Sequence, residues 1–179
     1  MPWPIGSSII AILITLTAGY IFFRFNQTLK SDAQTDKRAI LLKKIKQNGF
    51  PDKEVFVSVH DFFDGNNDSG SIGANIYPDP PSLTDFSNVL KEIKKDPRTS
   101  ELLVRIADID DTEWFYTDMI YISGHYKLAE IKKLFKRLKP DEVYEGMMYN
   151  KNPSNIPHLK SGDKAYSVWW DWNTTTGIP

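Results

Sequence analysis

Between residues 61 and 68 the chain gathers Asp61, Asp64, Asn66, Asn67 and Asp68, five side chains that offer oxygen. Oxygens at alternate positions (Asp64, Asn66, Asp68) resemble the opening of a calcium loop, whose hard cation takes about six to eight such ligands. The fit stops there. Gly70 stands one place late for the sharp turn, and Asn75 holds the closing position where a bidentate Glu is required. Asp, Asn and Gly at this density also build turns, through side-chain bonds to the backbone and positive φ. A third reading offers Asp61, Asp64, Asn66 and Asp68 to a basic protein partner.

A second acidic run, Asp108, Asp110, Asp111 and Glu113, precedes Trp114-Phe115-Tyr116. Catalytic carboxylates need a pair at fixed separation, and nothing in this spacing sets one. Solvated loop and partner surface are the two readings for Asp110, Asp111 and Trp114. His60, His125 and His158 are scattered, without the spacing of a zinc site. No Gly-x-Ser-x-Gly elbow and no glycine-rich phosphate loop occurs. The residues therefore point to no catalytic machinery. The rival is a divalent-metal enzyme using the acidic loops 61–68 and 108–113.

Tryptophan crowds the end of the chain at Trp169, Trp170 and Trp172. On a pleat, Tyr166, Val168, Trp170 and Trp172 share one face and Ser167, Trp169 and Asp171 the other. The even-numbered set is the candidate core. Trp169 beside Asp171 is the candidate partner anchor, since exposed tryptophans dominate binding hot spots.

These residues need elements to hold them. Residues 54–60 alternate, with Val55, Val57 and Val59 on one face, and read as a strand. SIGANIY (71–77) reads as a second. Ser82 can cap a helix carrying Leu83, Phe86, Leu90 and Ile93, stopped by Asp96-Pro97. Strands follow at 101–109 (Leu102, Val104 and Ile106 inward) and 118–123. A second amphipathic helix carries Leu128, Ile131, Leu134, Phe135 and Leu138 and ends at Pro140. Strands at 142–148 and 164–171 complete an α+β domain of order β-β-α-β-β-α-β-β over residues 50–172. Its middle six elements match the ferredoxin-like core, with both helices on one sheet face.

Ahead of the domain, residues 5–23 carry no charge across nineteen positions, which as a helix spans roughly 28 Å. This predicts a transmembrane anchor over 1–25. A basic amphipathic connector helix follows over 26–49, with Leu41, Leu42 and Ile45 as a stripe that lies on a membrane or docks on the domain. Residues 173–179 read as a loose tail. Residues 24–48 hold seven Lys/Arg against two Asp, net +5, whereas 49–179 carry net −6. The positive-inside bias places the domain on the cytoplasmic side of the inner membrane. Arg24, Lys30, Lys37 and Arg38 would then meet anionic lipid. An acidic domain excludes nucleic acid as partner, because phosphates need a positive face. With no cysteine, disulfides and thiolate metal sites are excluded.

The stretch FVSVHDFFDGNNDSGSIGANIYPDPPSLTDFSNVLKEIKKDPRTSELLVRIADIDD, with WWD at 169–171, resembles a group of small acidic bacterial α+β proteins of unassigned activity. Such proteins look like immunity proteins, which neutralise a toxin by covering it. The resemblance implies a toxin-neutralising protein without catalytic residues; joined to the predicted anchor and the acidic charge, it gives the expectation of a non-enzymatic, membrane-tethered binding domain without cofactor, set against a basic toxin. A structural subunit of a membrane complex is the remaining alternative.

Overall fold

A computed structural model of the chain describes residues 5–111, 113–154 and 159–170, with side chains from Gly19 onward apart from Lys30. Two compact units result, Met1–Lys37 and Arg38–Pro179. Helix α1 (Ile5–Gln47) runs unbroken for 43 residues and supplies both. In the first unit its described apolar side chains, Tyr20, Ile21, Phe22, Phe23, Phe25 and Leu29, are exposed.

The transmembrane helix expected over residues 5–23 is not supported. Among the described residues, no helix is long and apolar enough to cross a membrane. From Gly19 onward α1 soon carries charge, at Arg24, Asp32, Asp36 and Lys37. The single-pass anchor and the inner-membrane placement built on it are withdrawn with it. The side chains of residues 1–18 and of Lys30 lie outside the described residues. Of the two places open to the connector's apolar stripe, Leu41 and Ile45 take the domain, where they are packed into the core.

The second unit is an α+β domain. After α1 come β1 (Val55–Ser58), α2 (Val59–Phe63), α3 (Leu83–Lys95), β2 (Thr99–Ile106) and β3 (Met119–Gly124). Then follow α4 (Leu128–Phe135), a 3-10 turn (Lys136–Leu138), β4 (Glu142–Glu145) and β5 (Lys164–Trp169). The five strands form one sheet in the order β1-β2-β3-β5-β4, every neighbouring pair antiparallel.

The ferredoxin-like order is overturned in one half. Residues 71–77 form no strand and leave a lone parallel bridge between Ile72 and Thr117. Gly73 bends there with φ +63, and a Cβ would lie 2.9 Å from the Phe86 ring. As a result β1 and β2, joined through α3, lie side by side and antiparallel. The other half keeps the split arrangement: β3 and β4 are joined through α4, with β5 inserted between them.

Sequence chemistry sets the helix starts. Ser82 Oγ accepts from the Asp85 backbone N–H at 3.1 Å, and Asp85 returns the bond to Ser82 N–H at 3.0 Å. This reciprocal cap satisfies two N–H groups that a helix start leaves orphaned. Phe86, Val89, Leu90 and Ile93 then bury the face of α3 that lies on the sheet.

The strand period decides the two faces of the sheet. Val55, Val57, Leu102, Val104, Ile106, Ile120, Ile122, Tyr166, Val168 and Trp170 enter one apolar layer with α3, α4 and the end of α1. The opposite face carries a small cluster of Phe56, Met119 and Tyr121, flanked by Tyr149 and Trp169.

Candidate functional site

Helix α2 is a single five-residue turn that turns the chain straight after β1. Ser58 starts it by accepting from Asp61 N–H at 3.0 Å. The Asp61 carboxylate meets Lys44 Nζ of α1 at 2.5 Å. Partial burial alone would raise its pKa, but the bonds from Lys44 and Ser58 outweigh that and hold it below the usual carboxylate range.

Six residues earlier on α1, Arg38 performs the matching task on the second acidic loop. Its Nε donates to Glu113 O at 2.7 Å, its Nη2 donates to Asp110 O, and its guanidinium lies 5.2 Å above the Phe115 ring. Arg38 is therefore turned onto the domain. Trp114 closes the arrangement by donating from Nε1 to Phe62 O at 2.8 Å. Two segments fifty residues apart in sequence are thus stitched together along about two turns of α1. Asp108, Asp110, Asp111 and Glu113 are exposed beside a half-buried Asp61 and Asp64.

The other expected site residues divide. Asp64 caps the end of α2, its N–H donating to His60 O at 2.9 Å. Asn66 and Asp68 spend oxygens on turns, Asn66 Oδ1 accepting from Asp68 N–H at 3.0 Å and Asp68 Oδ1 from Gly70 N–H at 2.8 Å. Those bonds explain the alternate oxygens of the calcium-like reading without a cation. Among the described residues, no group of three or more His, Cys, Asp or Glu side chains could hold a metal ion.

Trp114 is not a surface anchor, being 3% exposed and packed in the core. Trp170 is wholly buried and donates to Leu138 O at 2.8 Å. Trp169 is half-buried on the opposite face of the sheet from these loops, and Asp171 lies outside the described residues. The structure therefore unites Asp61, Asp64, Asp110 and Asp111 and leaves Trp169 apart.

One buried charged group belongs to no sequence motif. Arg105 in β2 is buried, with Nε 2.9 Å from Asp118 Oδ1, Nη2 on Asp118 Oδ2, and Nη1 2.9 Å from Glu54 Oε1. Burial alone would lower its pKa, but Asp118 and then Glu54 raise it above the ordinary value. The second Glu54 oxygen accepts from the N–H groups of Asn150 and Lys151 at 3.3 and 3.2 Å. Tyr121 donates its hydroxyl to Met148 O. Together these bonds hold residues 148–151 across the second face of the sheet. The sequence signal is an arginine inside the strand ELLVRIADI.

The match with known proteins follows the same boundary as the packing. The family model described as Uncharacterized protein YfbO family matches residues 36–168, three quarters of the chain. The chain belongs to the YfbO family. Among curated proteins, Uncharacterized protein YfbO of Escherichia coli strain K12 is 28% identical over 116 residues, covering 64% of this chain and 81% of that protein. No solved structure matches. The YfbO match starts two residues before Arg38, where the compact domain starts. The end of α1, with Arg38, Leu41, Lys44 and Ile45, is thus inside the family's own unit. Both acidic loops and the Arg105 cluster also lie within the YfbO region.

Proposed function

We propose that the domain is a protein-binding module whose paired acidic loops dock a basic protein, in the manner of an immunity protein covering a toxin. The observation that carries this reading is the Trp114–Phe62 bond of 2.8 Å, which turns two separate acidic loops into one surface. Arg38 holds the second loop by its main-chain carbonyls and Lys44 pairs with the Asp61 carboxylate of the first, so the two loops are in place before a partner arrives. A net charge of −6 over residues 49–179 would steer a basic partner toward it and raise the association rate. The module acts by occupancy and does no chemistry of its own.

The test is capture of a stoichiometric basic protein by the immobilised full chain, followed by binding kinetics at two ionic strengths. Asp110→Asn combined with Asp111→Asn and Glu113→Gln should leave folding intact, because these side chains are exposed. It should slow association, and the deficit should shrink as salt shortens the screening length below about 10 Å. Unchanged association at low salt removes this surface from the interface.

A further inference from the structure

On the second face of the sheet, side chains line up in rows across the strands. Glu101 pairs with Ser123, Ser123 pairs with Ala165, and Gly146 just past β4 donates its N–H to Ala165 O at 2.8 Å. Leu102, Ile122 and Tyr166 enter the apolar layer, so Glu101, Ser123 and Ala165 point the other way. The neighbouring row holds Leu103, Tyr121, Ser167 and Tyr144, most of them large. Ser123, Ala165 and Gly146 are all small, and they make the floor of a trough. A Cβ at Gly146 would meet nothing within 4 Å, so that end of the floor is open.

A groove of about 450 Å³ stands over this floor, with Gly146 and Ala165 in its lining and Met147, Tyr149 and Leu159 as apolar walls. Tyr149 is steadied there by donating its hydroxyl to Met147 Sδ at 2.8 Å. Along the row beyond Ala165 lie two oxygens without a hydrogen-bond partner among the described residues, Ser123 Oγ and Glu101 Oε2. Both atoms are buried, and Ser123 is wholly so. An unmet buried oxygen is costly, and an unmet carboxylate more so. The other charges around the groove are engaged. Lys164 pairs with Glu145 at 2.7 Å, while Asp163 accepts from Lys160 N–H at 3.0 Å and faces His125 Nε2 at 3.3 Å. Glu101 is the carboxylate left here without a cation.

We infer that the groove binds a small organic amine, its ammonium on Glu101 Oε2 and Ser123 Oγ and its apolar stem along Ala165 and Gly146. An ammonium offers three donors and no acceptor, which matches two oxygens of which one is charged. A carboxylate or phosphate ligand would set a second negative charge beside Glu101 and is disfavoured. The volume suits a small molecule, since such sites run from about 300 to 1,000 Å³ and are mostly apolar with a few fixed polar groups. Glu101 stands at the far end of β2 from the acidic loop 108–113, so this site does not rest on the protein-binding reading.

The probe is n-pentylamine, with pentan-1-ol and pentanoate as controls of the same stem, each titrated into the ¹⁵N-labelled full chain. The amine should bind with a dissociation constant on the order of a millimolar and shift the amide signals of Ser123, Ala165 and Gly146. The two controls should bind at least about tenfold more weakly. Glu101→Gln should weaken amine binding by about tenfold or more, and Ser123→Ala by about threefold. Without ligand, Glu101→Gln should hold or raise the melting temperature, because it removes a buried charge that has no partner. A glutamate that served only the fold would lower it. The inference is overturned if the amine leaves all three amides unmoved, if pentan-1-ol binds as tightly, or if Glu101→Gln leaves the affinity unchanged. Tighter binding of Nα-acetyl-lysine amide than of pentylamine would overturn the small-molecule assignment in favour of a lysine of a partner protein.

Discussion

Val104 and Arg105 are neighbours in β2, yet their side chains enter different worlds. Val104 goes into the layer under α3 and α4, which is apolar and needs only shape. Arg105 goes into a thin layer with few buried apolar side chains, where it meets Glu54 and Asp118 at hydrogen-bond distance. Burial of each large apolar side chain on the first face stabilises by about 1.5–3 kcal/mol. On the second face, Coulomb attraction mainly offsets the cost of dehydrating three charges. The first face supplies stability, and the second fixes where residues 148–151 cross the sheet.

The largest effect should come from breaking the charged layer. Arg105→Ala leaves two carboxylates buried without their cation and should cost about 3–5 kcal/mol, read from urea unfolding. Arg105→Met alone should cost more than the triple change Arg105→Met, Glu54→Gln and Asp118→Asn, which removes all three charges and keeps an oxygen at each acidic position. A triple variant less stable than the single would show that the ions themselves, and not their pairing, hold this face.

Next comes the reach of the apolar layer into α1. Ile45→Ala should cost about 3 kcal/mol, whereas Ile40→Ala, 70% exposed on the same helix, should change stability by less than about 0.5 kcal/mol. A chain starting at Gly49 should melt well below one starting at Thr35. Equal melting temperatures would separate α1 from the core. Trp114→Phe is smaller again: it keeps most of the apolar contact, loses the bond to Phe62 O, and should cost about 1 kcal/mol.

The smallest effect is at the surface, outside both layers. The Arg98 guanidinium beside Asp96 depresses its carboxyl pKa to about 2. A lowered folded-state pKa contributes stability that is complete above about pH 4 and lost as the pH falls toward 2. Asp96→Asn should therefore lower the melting temperature slightly at neutral pH, converge with the unaltered chain near pH 2, and so flatten the fall across that window. An unchanged acid profile would assign the acid sensitivity elsewhere.

The apolar layer was largely legible in the sequence, because it obeys simple periods. Val55, Val57, Leu102, Val104, Ile106, Phe86, Leu90, Ile93, Ile131, Phe135 and Leu138 all stand at strand or helix spacing and all are buried. Tyr166, Val168 and Trp170 follow the expected face as well. The charged layer was illegible, since Glu54, Arg105 and Asp118 come from three places and nothing local says that residues 148–151 cover them. SIGANIY reads as a strand by residue type, yet Gly73 packs against the Phe86 ring and the backbone bends. The 5–23 stretch read as a membrane span because composition registers an absence of charge, whereas the helix continues without a break into charged sequence. Of the site, the acidic loops were visible, but their union depends on Trp114, which the sequence suggested for the surface.

The sheet edges also limit what this protein can become at high concentration. A sheet with two bare edges can stack end to end, each molecule offering one side and receiving on the other, and that is the route to fibres. Here Glu54, just ahead of β1, is already paired with residues 152–154 of the same chain. Among the described residues, an incoming strand at this edge therefore meets a chain already in place. Growth through it would first have to displace that bridge, which makes end-to-end stacking slower than it is for a bare edge.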